Sequence, residues 1–204
     1  MRVIASFFVI CVLVGVAVAQ QPIDGVDARS NSAEFAQQLS STDPLLRQRS
    51  AEALARLAAT EHRKLVEGYQ LQEKNKEVRL ALDWALYRMG RSEALYRVVN
   101  DLNSGRQDQA AGYLAELESP DLLYPFLKRQ NNAPRVNAGL LKALARIGDA
   151  QTLELVKPFR DSHQPLVAEA AEVAHDEIEK RLGETATQPT RVRPRTVGTT
   201  GDRP

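Results

Sequence analysis

The sequence predicts an all-α chain, a right-handed α-solenoid of about five stacked helix-turn-helix repeats. Three observations predict it. A leucine-anchored segment recurs near every thirty residues, at Leu54, Leu86, Leu114 and Leu144, with His175 in the fifth place. The apolar and small residues around each anchor fall on one face at helical spacing. Turn signals follow the segments, as in Gly90-Arg91-Ser92, Glu118-Ser119-Pro120 and Gly148-Asp149.

In chain order, residues 1–19 read MRVIASFFVICVLVGVAVA. A basic start, an apolar run and a small-x-small ending predict a secretory signal peptide cleaved after Ala19, and hence a secreted or periplasmic protein. The same run is short for a bilayer span, so membrane association is expected only if this segment stays uncleaved. Ile10 stands where a lipoprotein signal wants a small residue, so Cys11 predicts no lipid anchor. Cleavage removes Cys11, the one cysteine, leaving a domain with no disulfide and no thiolate metal site. Residues 20–32 read as an irregular lead-in and residues 33–183 as the repeat domain, opened by the half-repeat Ala33–Leu39. From Glu184 to Pro204, Pro, Thr, Gly and Arg dominate without apolar periodicity, which predicts a disordered tail.

The repeats begin at 46–58, 78–90, 106–118, 136–148 and 167–179. Second helices are predicted at 93–103, 121–131 and 150–160, with Ser92, Ser119 and Asp149 as N-caps. Small residues just past the anchors, Ala55, Ala115 and Ala145, suit close approach between neighbouring helices.

Apolar-Arg openings (Leu46-Arg47, Val78-Arg79), the Ala-Leu pairs 53–54, 85–86 and 143–144, and Ile147-Gly148-Asp149 resemble the HEAT-like repeat family. The likeness is to its short phycobilisome-lyase class. It covers about Glu34 to Leu182, and departs at Arg106-Gln107 and at His175. It implies a stack of helix pairs whose second helices line an inner face carrying Tyr96, Arg97, Tyr124, Lys128, Arg129, Lys157 and Arg160. It is specific for fold and uninformative for activity.

Chemistry is sparse. His62, His163 and His175 sit in different repeats with no ligand-spaced partner, so no metal is expected. No nucleophile elbow, phosphate loop or dinucleotide fingerprint occurs, and no catalytic residue or cofactor is expected. Setting aside Arg2 and the tail leaves 22 basic and 24 acidic side chains, no electrostatic footprint for nucleic acid. Asp83, inside the most apolar helix, is expected to pair with Arg79 or Tyr87, each four residues away.

The expected role is an exported, non-enzymatic interaction module holding a protein or peptide; the alternative implied by the resemblance is a chromophore- or ligand-handling lyase-like protein. The second stripe of the helix VRLALDWALYRMG, formed by Leu80, Trp84 and Tyr87, marks the first candidate site. Equivalent positions in other repeats are mostly small or polar. Two readings fit it: a patch centred on Trp84 that binds the partner, or a surface covered by Pro22, Ile23 and Val26 of the lead-in. In the first, Trp84→Ala weakens partner capture and leaves melting largely intact. Tyr96, Arg97, Tyr124 and Lys128 complete the candidates, with tyrosine and arginine favoured at binding hot spots. Against them stand Glu93, Asp101, Asp121 and Glu154, which could neutralise the face.

Overall fold

The protein's structure, a computed structural model, describes residues 24–187. Those residues form α-helices and short 3₁₀ turns with no strand. The signal peptide expected at 1–19 and the tail from 188 onward lie outside the described residues.

The helices are α1 (Asp24–Gln38), α2 (Pro44–Arg56), α3 (Arg63–Gln72), α4 (Lys76–Arg88) and α5 (Ala94–Asp101) in the first half. The second half holds α6 (Gln107–Leu114), α7 (Tyr124–Leu127), α8 (Pro134–Ile147), α9 (Ala150–Arg160) and α10 (Pro165–Thr187). Part of the expected lead-in is thus helical, since α1 starts at Asp24, and α10 runs a few residues past the expected boundary. The second helix at 121–131 is shorter than expected. Pro125, in the first turn of α7, is preceded by a separate 3₁₀ turn at Pro120–Leu122, and helix ends at Leu127.

Local chemistry fixes the helix starts. Asp43 accepts a hydrogen bond from Leu45 N ahead of Pro44, and Asn75 Oδ1 accepts one from Val78 N at 3.0 Å. Asp149 and Thr152 form a reciprocal capping box at α9. Arg47, in the apolar-Arg opening, makes a two-pronged pair with Glu73 (2.8 and 3.0 Å) and also donates to Ser41 O. That pair ties the start of α2 to the loop before α4 and holds Glu73 well below the usual carboxylate range. Gly90 ends α4 at φ +94°, where glycine alone is unstrained; Ala58 holds the same register after α2 at φ +46°.

The helices pack on their neighbours. α2 lies on α4, α6 on α8 and α8 on α10, while α3 and α5 both pack on α4. α4 is therefore surrounded by α2, α3, α5 and α6. Its residues Val78, Leu80, Ala81, Leu82, Asp83, Trp84, Ala85 and Leu86 are all buried. A helix apolar all round is a core helix, which accounts for the two stripes in VRLALDWALYRMG. The repeat anchors Leu54, Leu114 and Leu144 are fully buried with it.

Candidate interaction surface

The candidate residues divide between core and surface. Leu80 and Trp84 are each 1% exposed, so they form no open patch. The indole of Trp84 lies parallel to Tyr113 of α6, centroids 5.6 Å apart and planes within 4°. Tyr87 stacks on it at 5.4 Å, and the Arg88 guanidinium lies 5.8 Å from its centroid. The cover comes from α6, reaching across α4 toward α2: the Tyr113 hydroxyl donates to Glu52 Oε1 at 2.6 Å. Burial, with Glu52 as acceptor, pushes the Tyr113 phenol far up from its ordinary range. The repeat register points Trp84 away from its own core face, and a neighbouring repeat closes over that direction. The side chains of Pro22, Ile23 and Val26, the other expected cover, lie outside the described residues.

Tyr124 is also buried. Its hydroxyl hydrogen-bonds Thr152 Oγ1 at 2.7 Å and donates to Asp149 Oδ1 at 3.1 Å, so it braces α7 against the capping box of α9. Tyr87 is half-buried and lines a cleft of about 340 Å³ with Ala58, Arg88, Leu117 and Leu122.

Arg97, Tyr96 and Lys128 are accessible. Leu95, Val98, Val99 and Leu102 face the core, so α5 turns Arg97 and Tyr96 to opposite flanks. On one flank Arg97 Nε meets Asp83 Oδ1 at 2.5 Å, and Gln70 Nε2 donates to the same oxygen at 3.1 Å. Asp83 thus pairs with α5 and α3 and not with Arg79 or Tyr87: Arg97 and Gln70 reach its carboxylate from the neighbouring helices, while exposed Arg79 lines the same cleft without an ion pair to it. It is 4% exposed and sits at the floor of a cleft of about 420 Å³ lined by Gln70, Leu71, Arg79, Arg97, Asn100 and Asp101. Burial raises its carboxyl above the usual range despite Arg97.

On the other flank Tyr96, 48% exposed, meets α7. Its ring centroid is 6.4 Å from that of Phe126, and the Arg129 guanidinium carbon sits 5.2 Å from Tyr96 and 4.7 Å from Phe126. Phe126 was absent from the candidates read in the sequence, and Arg129 entered only as one residue of the implied inner face. The signal available was the Lys128-Arg129 pair after an aromatic, but only folding brings it to Tyr96, about thirty residues away.

The acids that could neutralise this face are mostly engaged elsewhere. Glu93 pairs with Arg91 at 3.0 Å, Asp101 with Arg106, and Glu154 with Lys157 at 2.5 Å. Among the described residues Asp121 is unpaired, and Arg79, Lys128 and Arg129 have no carboxylate partner.

His175 does have a ligand-spaced neighbour, contrary to the sequence expectation. Its Nδ1 lies 3.5 Å from Asp176 Oδ1 and 3.8 Å from Glu179 Oε2, without a hydrogen-bond partner. A cation could use these three donors, though both carboxylates are strongly exposed.

No helix of the described residues is long and apolar enough to cross a membrane. No protein-family model and no curated protein matches the chain. Among solved structures, the crystal structure of an engineered protein is similar over 76% of this chain and 81% of its own, with 22% identity and a TM-score of 0.35. At that score the likeness says nothing about how the helices are arranged.

Proposed function

We propose that the chain is an exported, non-enzymatic interaction module, a right-handed HEAT-like α-solenoid that holds a protein or peptide partner on the surface of its second helices. One observation carries this reading: Tyr96, Phe126 and Arg129, from α5 and the α7 segment, form an aromatic and cationic cluster at the surface. Half-buried Phe126 rests against the core, but the exposed Tyr96 ring and the Arg129 guanidinium take no part in it: α5 and α7 bury Leu95, Val98, Tyr124 and Leu127 instead. Tyrosine and arginine in such a cluster match the composition of binding hot spots.

The test is site-specific photo-crosslinking in the full chain expressed in its native host. A photoreactive residue at position 96 is compared with one at exposed Leu45 on α2. A discrete adduct from position 96 alone, lost in Arg129→Ala, is the expected result. No adduct from position 96, or equal adducts from both positions, defeats the reading. Export is checked separately by the amino-terminal mass of the recovered chain, which should begin at Gln20.

A further inference from the structure

Resting on the interaction-module reading, we infer that the Tyr96–Phe126–Arg129 cluster is a carboxylate-binding site, so that the partner segment it holds is an acidic peptide.

The state of the Arg129 side chain leads to this. Both rings lie within cation–π range of its guanidinium. Contact with ring faces restrains a guanidinium while leaving its in-plane N–H groups at the edge. Those groups donate to no acceptor among the described residues, and Arg129 has no ion-pair partner. A guanidinium restrained this way presents the fork that fits a carboxylate through two parallel hydrogen bonds, with less side-chain entropy left to lose. The Tyr96 hydroxyl, also without a partner among the described residues, supplies a further donor.

Charge on the face points the same way. Asp101 and Glu154 are committed to Arg106 and Lys157, and Glu93 shares Arg91 with Glu67, whereas exposed Lys128, next in the chain, is unpaired like Arg129. Unpaired Asp121 is one acid against those two cations. In a body whose overall charge is near zero, the two unpaired cations stand side by side at this cluster, so the attraction is local to it. The exposed Tyr96 ring and the half-buried Phe126 ring give apolar surface for the methylene stem of a glutamate. A protein carboxylate fits that combination better than a nucleic-acid backbone, which would draw on a broad basic stripe.

The experiment uses the full chain against an array of short fluorescent peptides. Glutamates are placed at varied spacing in a Leu/Ser background, and each peptide has a Glu→Gln copy. Expected are binders whose Gln copies bind at least about tenfold more weakly, a loss of roughly 1.4 kcal/mol. Arg129→Gln should show a loss of similar size with an unchanged melt, and Arg129→Lys should restore only part of the affinity. The inference is overturned if no array member binds, if Gln copies bind equally, if Arg129→Gln is silent, or if a short DNA duplex competes as well as the peptides. A position-96 adduct in the absence of any acidic binder would leave the module reading standing and remove the carboxylate site alone.

Discussion

Replacing Trp84 by alanine should destabilise the fold by about 3–4 kcal/mol. The indole is 1% exposed and packed between Tyr87 and the parallel ring of Tyr113. Truncating a buried tryptophan costs about 3–5 kcal/mol in lost transfer energy and residual cavity. Each stacked aromatic pair adds on the order of 0.5–1.5 kcal/mol. Working against these, a cleft of about 300 Å³ lined by Glu52, Arg56, Gly112, Tyr113 and Glu116 already borders Trp84. Water can enter the vacated space from there, which places the cost near the lower end. For a domain of this size, about 2–4 °C per kcal/mol translates the loss into a melting point lower by roughly 6–16 °C. Helical circular dichroism followed through heat and urea reads both quantities. Trp84→Phe keeps a ring against Tyr113 and should lose about half as much. A loss below about 1 kcal/mol, with helicity retained, would mean that the indole faces solvent as the repeat register suggests. The packing of α6 over α4 would then be wrong.

Arg97→Ala should destabilise more than Asp83→Asn, by about 1–3 kcal/mol, because it leaves a buried carboxylate with Gln70 as its one donor. Asp83→Asn leaves Arg97 at the rim, where water can solvate it. The pH dependence has a definite sign: burial raises the folded-state value of Asp83 above the unfolded value of about 3.9, so the folded state binds the extra proton. The contribution of Asp83 to stability therefore falls as pH rises from the unfolded value through the raised folded value. Asp83→Asn should gain on the parent across that window in urea titrations, and a constant or shrinking gap would contradict the assignment. Two glycine exchanges should move in opposite directions. In Gly139→Ala the new Cβ would sit 2.6 Å from Cδ2 of fully buried Leu102, costing about 1–3 kcal/mol by denaturant melt. Ala58→Gly relieves a left-handed backbone at φ +46° and should raise stability by about 0.5–1 kcal/mol; an unchanged melt would show that Ala58 is unstrained.

The start of α9 and the turn at Pro120 were legible because their causes are local: Asp149 and Ser119 cap through hydrogen bonds that close within a few residues, and apolar periodicity marks the buried face. Asp43 and Asn75 cap α2 and α4 in the same local way but are not among the caps read in the sequence, and at α5 Glu93, not Ser92, precedes the helix, without a side-chain cap. Gly90 and Gly148 marked two ends for equally local reasons. The second helix at 121–131 was less legible, since Pro120 and Pro125 divide a pattern that periodicity alone reads as continuous.

By itself the sequence determined that this chain is helical, repetitive and built around a row of buried leucines, since period, capping and side-chain volume all act along the chain. Tertiary structure decided what each exceptional residue does. It put Trp84 under Tyr113, joined Asp83 to Arg97, sank Tyr124 behind α9, and gathered Tyr96, Phe126 and Arg129 at the surface. The physical reason is the same in each case. A helical wheel gives the direction in which a side chain leaves its own helix, but only the neighbouring repeat determines whether protein or water fills that direction.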